Sequence, residues 1–273
     1  MEREQIAGEC TALAKKMREQ MVSLAEWVEE DVHWGGAFSS VEILAVLYHS
    51  ILKGQGKEAF QNKDKFILSK GHGAIAAYTV MNLEGLLSEE LYHTYRKDGS
   101  PLSELMHYDK ELGFEVSGGS LGLGISYGAG LALLAKKKGY SYHTYVEVGD
   151  GELDEGNIWE AVMAAAQFQL DNLTVIVDAN MLQLDGPTQE IMNLGNAGNK
   201  FRSFGFTVYE VNGHNCQELL NAFASPADSC CPKVIIAHTI KGKGISFMEN
   251  DFLWHDRRLK GEELIQARAE VLL

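Results

Sequence analysis

The chain has 273 residues, 45% of them hydrophobic, which is enough to bury a sizeable core as one or two domains. Its formal net charge of −14, with no basic cluster, argues against nucleic acid or an anionic membrane surface as a partner. The charged N-terminus shows no secretory signal and the four cysteines lack metal-binding spacing, so we expect a reduced, cytoplasmic protein.

Helices dominate the start of the chain. Apolar residues recur at helical spacing over Glu4–Glu30, which predicts a long amphipathic helix. Glycines then break the chain at residues 33–38, and Ser39 or Ser40 is suited to cap a helix over residues 41–52.

A short strand at Phe66–Leu68 leads into the sequence SKGHG at residues 69–73 and a helix of small residues. Further on, the stretch from Val116 to Ala135 has no charge over 20 residues, which is long enough to span a bilayer. It contains six glycines and three serines, so we interpret it as a loop that feeds a buried helix.

The most informative stretch runs from Gly149 to Gly186. TYVEV before it and LTVIV within it are β-branched runs typical of buried strands, and the apolar spacing between them predicts a helix over Glu155–Phe168. Two more strands, FTVYEV and KVIIA, precede an amphipathic C-terminal helix. This alternation predicts a doubly wound α/β fold, with a mainly parallel sheet and helices on both faces, in a single domain over residues 1–273.

Residue types at the ends of the two central strands indicate an anion site with a cation. Gly149 and Gly151 let the backbone turn sharply close to a bulky anion, and the following helix directs free N–H groups there. Asp150 would repel a phosphate unless a cation lay between them, and Asn180 adds a neutral oxygen from the next strand end. Such oxygen ligands suit Mg²⁺, although an ordinary strand–helix turn with an Asp-capped helix has the same residues.

The sequence GDG at 149–151, followed by D-x-N at 178–180 and Q-x-DG at 183–186, resembles the thiamine diphosphate fingerprint of transketolases. Glycine loops with basic or imidazole groups extend the resemblance: SKGHG, EVSGGSLGLG and TIKGKG. It covers nearly the whole chain but only the N-terminal half of a full-length transketolase. The resemblance therefore implies the N-terminal subunit of a split enzyme.

The resemblance also implies roles for individual residues. The implied metal ligands are Asp150, Asn180 and the carbonyl of Leu182. The implied cofactor-binding residues are Lys70, His72, Gly119, Leu121, Asp150, Gly151, Glu155, Asn180 and Lys241. The implied catalytic residues are His33, His72, His107 and His255. Among these, Glu155 matches a glutamate that links two active sites across a subunit interface.

The chain departs from the family pattern near three of the histidines. Trp34 stands where proline usually follows the first histidine, and Met106 and Tyr108 flank His107 in place of glycine and proline. Asp256 replaces the glycine that usually follows the last histidine. An added carboxylate there would disfavour a phosphorylated substrate approaching from that side, which brings the standard sugar-phosphate pair into question.

The resemblance implies a thiamine diphosphate enzyme with Mg²⁺, or Ca²⁺ or Mn²⁺ in its place, that transfers a two-carbon ketol unit from a ketose or ketose phosphate to an aldose. In the family, the glutamate that activates the cofactor belongs to the pyrimidine-binding domain, which we do not expect in this chain. We therefore expect the pyrimidine-binding and C-terminal domains on a partner subunit, an α2β2 assembly, and no activity from this chain alone.

Three other functions share some of these features. The α subunit of a 2-oxo acid dehydrogenase also carries GDG and a later Asn, although the other glycine loops fit transketolase better. A transketolase-like biosynthetic protein could pass the ketol unit to an unusual acceptor. A plain nucleotide-binding module is a third alternative, but the chain has no GxxxxGK[ST] motif and no GxGxxG that opens a helix after a strand.

Overall fold

A computed structural model describes residues 1–55 and 59–272 and contains a five-stranded parallel sheet. The strands are β1 (Lys65–Leu68), β2 (Thr144–Gly149), β3 (Leu173–Ala179), β4 (Thr207–Asn212) and β5 (Lys233–His238). Their order across the sheet is β1-β2-β3-β5-β4. The central strand β3 is buried along its whole length, as expected of a parallel strand covered on both faces.

Among the described residues, three α-helices precede β1 and the others lie between or after the strands. They are α1 (Glu2–Leu24), α2 (Trp34–Ser39), α3 (Val41–Val46), α4 (Ala74–Leu83), α5 (Glu89–Tyr92), α6 (Gly124–Lys138), α7 (Gly156–Gln167), α8 (Thr188–Ile191), α9 (Ala197–Ser203), α10 (Cys216–Ala224) and α11 (Gly261–Val271). A π-helical turn, Leu47–Ile51, extends α3, and 3₁₀ turns occur at Gly71–Gly73, Gly151–Asp154 and Phe252–Trp254.

Helices cover both faces of the sheet. Val175 and Val177 of β3 belong to an apolar cluster with residues of α6, α7 and α9. Ile176, which points to the opposite face, packs in a second cluster with residues of α3 and α10. The predicted doubly wound α/β class is therefore confirmed. A third cluster joins α1, α2, α4 and α11 beside the sheet.

Three local predictions near the N-terminus were wrong. The first helix ends at Leu24, not at Glu30, and the expected glycine break is the helix α2. A Cβ on Gly35 would lie 2.9 Å from the side chain of Lys241, so glycine here permits close packing. The Ser40 hydroxyl makes no cap, because it donates a 2.5 Å hydrogen bond to a buried carboxylate instead.

The uncharged stretch from Val116 forms a loop followed by α6, as predicted. Among the described residues, no helix combines the length and the apolar character needed to cross a bilayer.

Candidate functional site

The carboxyl ends of β2 and β3 bring two predicted metal ligands together. The parallel register aligns the two strand ends, so Asp150 and Asn180 leave neighbouring positions at one edge of the sheet. The Asp150 carboxylate accepts hydrogen bonds from the N–H groups of Gly151 at 2.8 Å and Met181 at 2.5 Å. Met181 has φ of 65°, so the chain turns sharply there and returns its backbone towards Asp150.

A cavity of about 420 Å³ opens at this edge. Most of the predicted site residues line it: His33, Lys70, His72, Gly119, Leu121, Asp150, Gly151, Asn180, Leu182, Lys241 and His255. A larger groove of about 830 Å³ lies between α1, α4, α5 and α11, and no predicted site residue lines it. The chemistry-bearing residues therefore converge on one cavity, although they come from seven separate segments of the chain.

Two of the predicted residues, His107 and Glu155, do not line the cavity. The His107 side chain is exposed on the loop between α5 and α6. Glu155 is the exposed residue that precedes α7. Because its predicted role is at an interface with another subunit, an exposed position is compatible with that role, which stays a prediction.

Buried ionisable groups form the floor of the cavity. The Lys70 ammonium contacts the Asp178 carboxylate, donates to the Gly36 carbonyl at 3.0 Å and lies 3.4 Å from Glu147. Asp178 also accepts a hydrogen bond from the Ser39 hydroxyl at 2.5 Å. The Lys70 ammonium thus links carboxylates on β2 and β3, and its role as a cofactor contact stays a prediction.

The pKa values of the two floor carboxylates shift in opposite directions. Burial raises the pKa of Glu147, and the Lys70 charge offsets that effect incompletely. Burial alone would also raise the pKa of Asp178, but the Lys70 ammonium and several hydrogen bonds hold this pKa below its usual value. The floor therefore favours one ion pair, Lys70 with Asp178, beside a carboxyl that resists ionisation.

The residues at the strand ends fit a divalent cation. Burial and the nearby Asp178 charge raise the pKa of Asp150 to about 7, so a positive charge beside it would favour its ionised form. The carbonyl of Leu182 already attracts a cation, since it accepts a 3.1 Å hydrogen bond from the Lys241 ammonium. Carboxylate, amide and carbonyl oxygens are the ligands that Mg²⁺ prefers.

Glycines leave room for an anion next to these oxygens. A Cβ on Gly151 would lie 2.8 Å from the Gln183 side chain, so a larger residue would displace the turn that carries Asp150. Gly119 has φ of 126°, a conformation that side-chain-bearing residues rarely adopt. Together with the ammonium of Lys241, the backbone at these glycines suits a phosphate-bearing ligand.

Three imidazoles that line the same cavity form a cluster. The ring centroids of His33, His72 and His255 are separated by 5.1 to 5.3 Å. Burial and the Lys70 charge lower the pKa of His72 well below its usual value. Burial and Lys241, whose ammonium lies 2.8 Å from Nδ1 of His255, lower the pKa of His255 to about 3. Both rings are therefore neutral at neutral pH and can accept or donate hydrogen bonds.

A carboxylate that sequence reasoning missed lies beside this cluster. Nδ1 of His33 is buried and lies 2.6 Å from a carboxylate oxygen of Glu104. Its geometry does not make a hydrogen bond, and Nδ1 has no hydrogen-bond partner among the described residues. Arg96 holds the other Glu104 oxygen at 2.7 Å. The carboxylate of Asp256 lies 3.7 Å from the same His33 atom, so it adds negative charge on the side where we predicted an effect on substrate choice.

The sequence offered different signals for the three carboxylates that we did not predict, Glu147, Asp178 and Glu104. Glu147 interrupts the apolar strand TYVEV, and a charge in such a strand is rarely buried without a partner. Asp178 lies in D-x-N, where we gave a role only to the Asn. Glu104 lies in an irregular loop, and no spacing in the sequence connects it with His33.

Comparisons with known proteins identify the family to which this chain belongs. A family model described as the thiamine diphosphate binding domain of transketolase matches residues 13–271. An apulose-4-phosphate transketolase subunit from Phocaeicola vulgatus is 38% identical over 261 residues, covering 94% of this chain and 92% of that protein. A 6-deoxy-6-sulfo-D-fructose transketolase subunit from Clostridium sp. is 38% identical over 242 residues, covering 88% of each.

Full-length transketolases match over a smaller share of their own length. Human transketolase is 34% identical over 238 residues, covering 84% of this chain and 37% of that protein. The crystal structure of transketolase from Campylobacter jejuni has a TM-score of 0.87 and 29% identity, covering 98% of this chain and 43% of that chain.

Proposed function

Because the chain belongs to the transketolase family through its thiamine diphosphate-binding domain, we propose that it is the N-terminal subunit of a split transketolase. The enzyme transfers a two-carbon ketol unit from a ketose donor to an aldose acceptor. The main support for this proposal is that Asp150, Asn180 and Lys241 line the same cavity as three imidazoles. Relatives of similar length that are named as transketolase subunits support the split organisation.

Asp150, Asn180 and the Leu182 carbonyl would hold Mg²⁺, and the Gly151 N–H and the Lys241 ammonium would contact the diphosphate. The raised pKa of Asp150 supports this assignment, since burial penalises its carboxylate unless a cation is present. Lys241 is then free to exchange its contact with the Leu182 carbonyl for a phosphate oxygen. When bound, thiamine diphosphate supplies the carbon nucleophile and electron sink that cleavage beside a ketone requires.

The imidazole cluster would handle the protons of the ketose and aldose. His72 and His255 stay neutral near neutral pH, so each can accept a proton from a substrate hydroxyl or donate a hydrogen bond to a carbonyl. His33 lies in the same cavity, with its Nδ1 2.6 Å from the Glu104 carboxylate, and would take part in the same proton handling. His107 remains a proposed catalytic residue whose exposed loop would have to join the site in the assembled enzyme.

Exposed apolar residues around the cavity support a partner subunit. Leu121 and Leu184 line the cavity yet are 37% and 56% exposed, and Leu253 beside His255 is 61% exposed. Large apolar side chains around a polar site are typical of a surface that a partner covers. We propose that residues 1–273 form the diphosphate-binding domain and that the partner supplies the pyrimidine-binding and C-terminal domains, in an α2β2 assembly without which this chain is inactive.

Asp256 would influence which substrates this enzyme accepts. Its carboxylate, near His33 and Glu104, gives this part of the cavity negative charge, which disfavours a phosphate group approaching from the same side. The names of the two relatives indicate anionic sugars as their substrates, so any phosphate of the present substrate would be held by partner residues instead.

The central test is Asp150→Ala, assayed by calorimetry for thiamine diphosphate binding in the presence of Mg²⁺. We expect at least a ~100-fold loss of affinity, because a buried metal ligand is removed. The matched control, Asp185→Ala, removes an exposed carboxylate from the neighbouring turn and should bind as the wild type does. Undiminished binding by Asp150→Ala would refute the proposed metal site.

Activity separates this proposal from the 2-oxo acid dehydrogenase alternative. The chain together with its partner subunit should form new ketoses from a ketose and an aldose, and the chain alone should not. Release of CO₂ from a 2-oxo acid, without ketol transfer, would favour the alternative.

A further inference from the structure

The loop that carries Lys241 into the cavity is held from outside the cavity. This segment, residues 239–244, is here called the Lys241 loop. The N–H of Ile240 donates a 2.8 Å hydrogen bond to Nε2 of His214. Nε of Arg18 donates a 2.9 Å hydrogen bond to the carbonyl of Lys243. The backbone is therefore fixed on both sides of Lys241.

Both of these contacts converge on one buried carboxylate, Glu42 of α3. Arg18 donates to its two oxygens at 2.7 and 2.9 Å, and Nδ1 of His214 lies 2.8 Å from one of them. Because Nε2 of His214 accepts from a backbone N–H, Nδ1 carries the proton and donates to Glu42. Burial alone would raise the pKa of Glu42, but His214 and Arg18 lower it to about 2, so Glu42 is ionised.

The Lys241 loop is also packed tightly where these contacts act. Gly244 has φ of 96°, and a Cβ there would lie 2.7 Å from the Arg18 side chain. The N–H of Gly242 donates a 3.0 Å hydrogen bond to the carbonyl of Gly35. A shift of the loop would break these hydrogen bonds together, so the backbone position of Lys241 depends on them.

We propose that His214, Glu42 and Arg18 act as a positioning relay that sets Lys241 for the diphosphate of the cofactor. None of the three lines the cavity, so each would act through the Lys241 loop and not by touching cofactor or substrate. His214 thereby gains a role in cofactor affinity. The proposal rests on the proposed function, because that function assigns Lys241 to the diphosphate.

A double-mutant cycle tests the relay. Thiamine diphosphate affinity with Mg²⁺ is measured by calorimetry for the wild type, His214→Leu, Lys241→Met and the double variant, each full-length and in complex with the partner subunit. We expect His214→Leu to weaken thiamine diphosphate binding about 10-fold, because it removes the hydrogen bonds of His214 to Ile240 and to the charged Glu42. In the Lys241→Met background the same change should weaken binding less than about 2-fold, because the side chain that the relay positions is gone.

Two further variants keep the test interpretable. His214→Gln retains an amide oxygen for Ile240 and an amide N–H for Glu42, so it should restore most of the affinity. Arg18→Met removes the second anchor and should show the same dependence on Lys241 if His214→Leu does not fold. The control is His143→Leu, which removes a histidine hydrogen-bonded to Thr174 at the opposite end of β2 from the cavity. Its effect on thiamine diphosphate affinity should be the same in the wild-type and Lys241→Met backgrounds.

The outcomes separate the relay from the proposed function. Equal effects of His214→Leu in both backgrounds would overturn the relay and leave the function standing. If Lys241→Met alone leaves affinity unchanged, both the relay and the Lys241 assignment are wrong, while Asp150→Ala still decides the metal site. A merely structural role predicts equal losses in both backgrounds and no rescue by His214→Gln.

Discussion

The two halves of the cavity are built in different ways. The cation half (Asp150, Gly151, Asn180 and Lys241) lies at strand ends above the paired charges of Lys70 and Asp178. The imidazole half (His33, His72 and His255, with Glu104 and Asp256) comes from short helices and loops, and its carboxylates are partly exposed. Parallel register and buried charge fix the strand-end residues of the first half, to which the Lys241 loop adds its lysine, whereas loop packing sets the whole second half. We therefore expect changes beneath the cation half to affect the whole fold and changes in the imidazole half to affect mainly activity.

The strongest test of this contrast is Lys70→Met. Removing the ammonium leaves the buried carboxylate of Asp178 without its counter-ion, which typically costs about 3–5 kcal/mol of unfolding free energy. The comparison variant in the imidazole half is Arg96→Met, whose partner Glu104 is partly exposed, and it should cost less than about 1 kcal/mol. Urea unfolding without cofactor measures both. Similar losses would show that the two halves do not differ in this way.

A second test uses the pH dependence of stability. His255, with a folded-state pKa of about 3, stays neutral in the folded protein, whereas the unfolded chain binds a proton as the pH falls below about 6.5. The unfolded state is thus favoured progressively from about pH 7 towards pH 3. Between pH 7.5 and 5 the wild type should lose about 1 kcal/mol more than His255→Gln, after allowance for partial exposure of the ring.

Urea unfolding at the two pH values gives this difference. His93 is the matched control, because its side chain is 42% exposed and His93→Gln removes an imidazole less enclosed than that of His255. Parallel pH profiles for the wild type and His255→Gln would contradict the buried, neutral state assigned to His255.

The smallest expected effect belongs to Asp256→Gly. Removing this partly exposed carboxylate should raise kcat/KM for an aldose phosphate relative to the unphosphorylated aldose by about 3- to 10-fold at low salt. The shift should shrink as salt is added, since the carboxylate is partly exposed. The exposed Asp98→Gly serves as control. An unchanged preference would mean that Asp256 does not influence substrate choice.

The strand positions were the most predictable part of the fold. TYVEV and LTVIV predicted β2 and β3 to within two residues, because a buried parallel strand needs a short apolar run. The α2 region was mispredicted because glycine has two uses, in flexible breaks and in close packing, and Gly35 serves the second. The side chain of His107 lies on a long loop, where sequence spacing says little about direction.

The sequence by itself determined the alternation of strands and helices and the acidic and amide residues at the strand ends, since these follow from periodicity and local turns. The tertiary structure alone decided which charges meet: Lys70 with Asp178, His33 with Glu104, and His214 with Glu42. The partners in each pair are far apart along the chain, and periodicity specifies which face a residue occupies but not which distant residue it contacts.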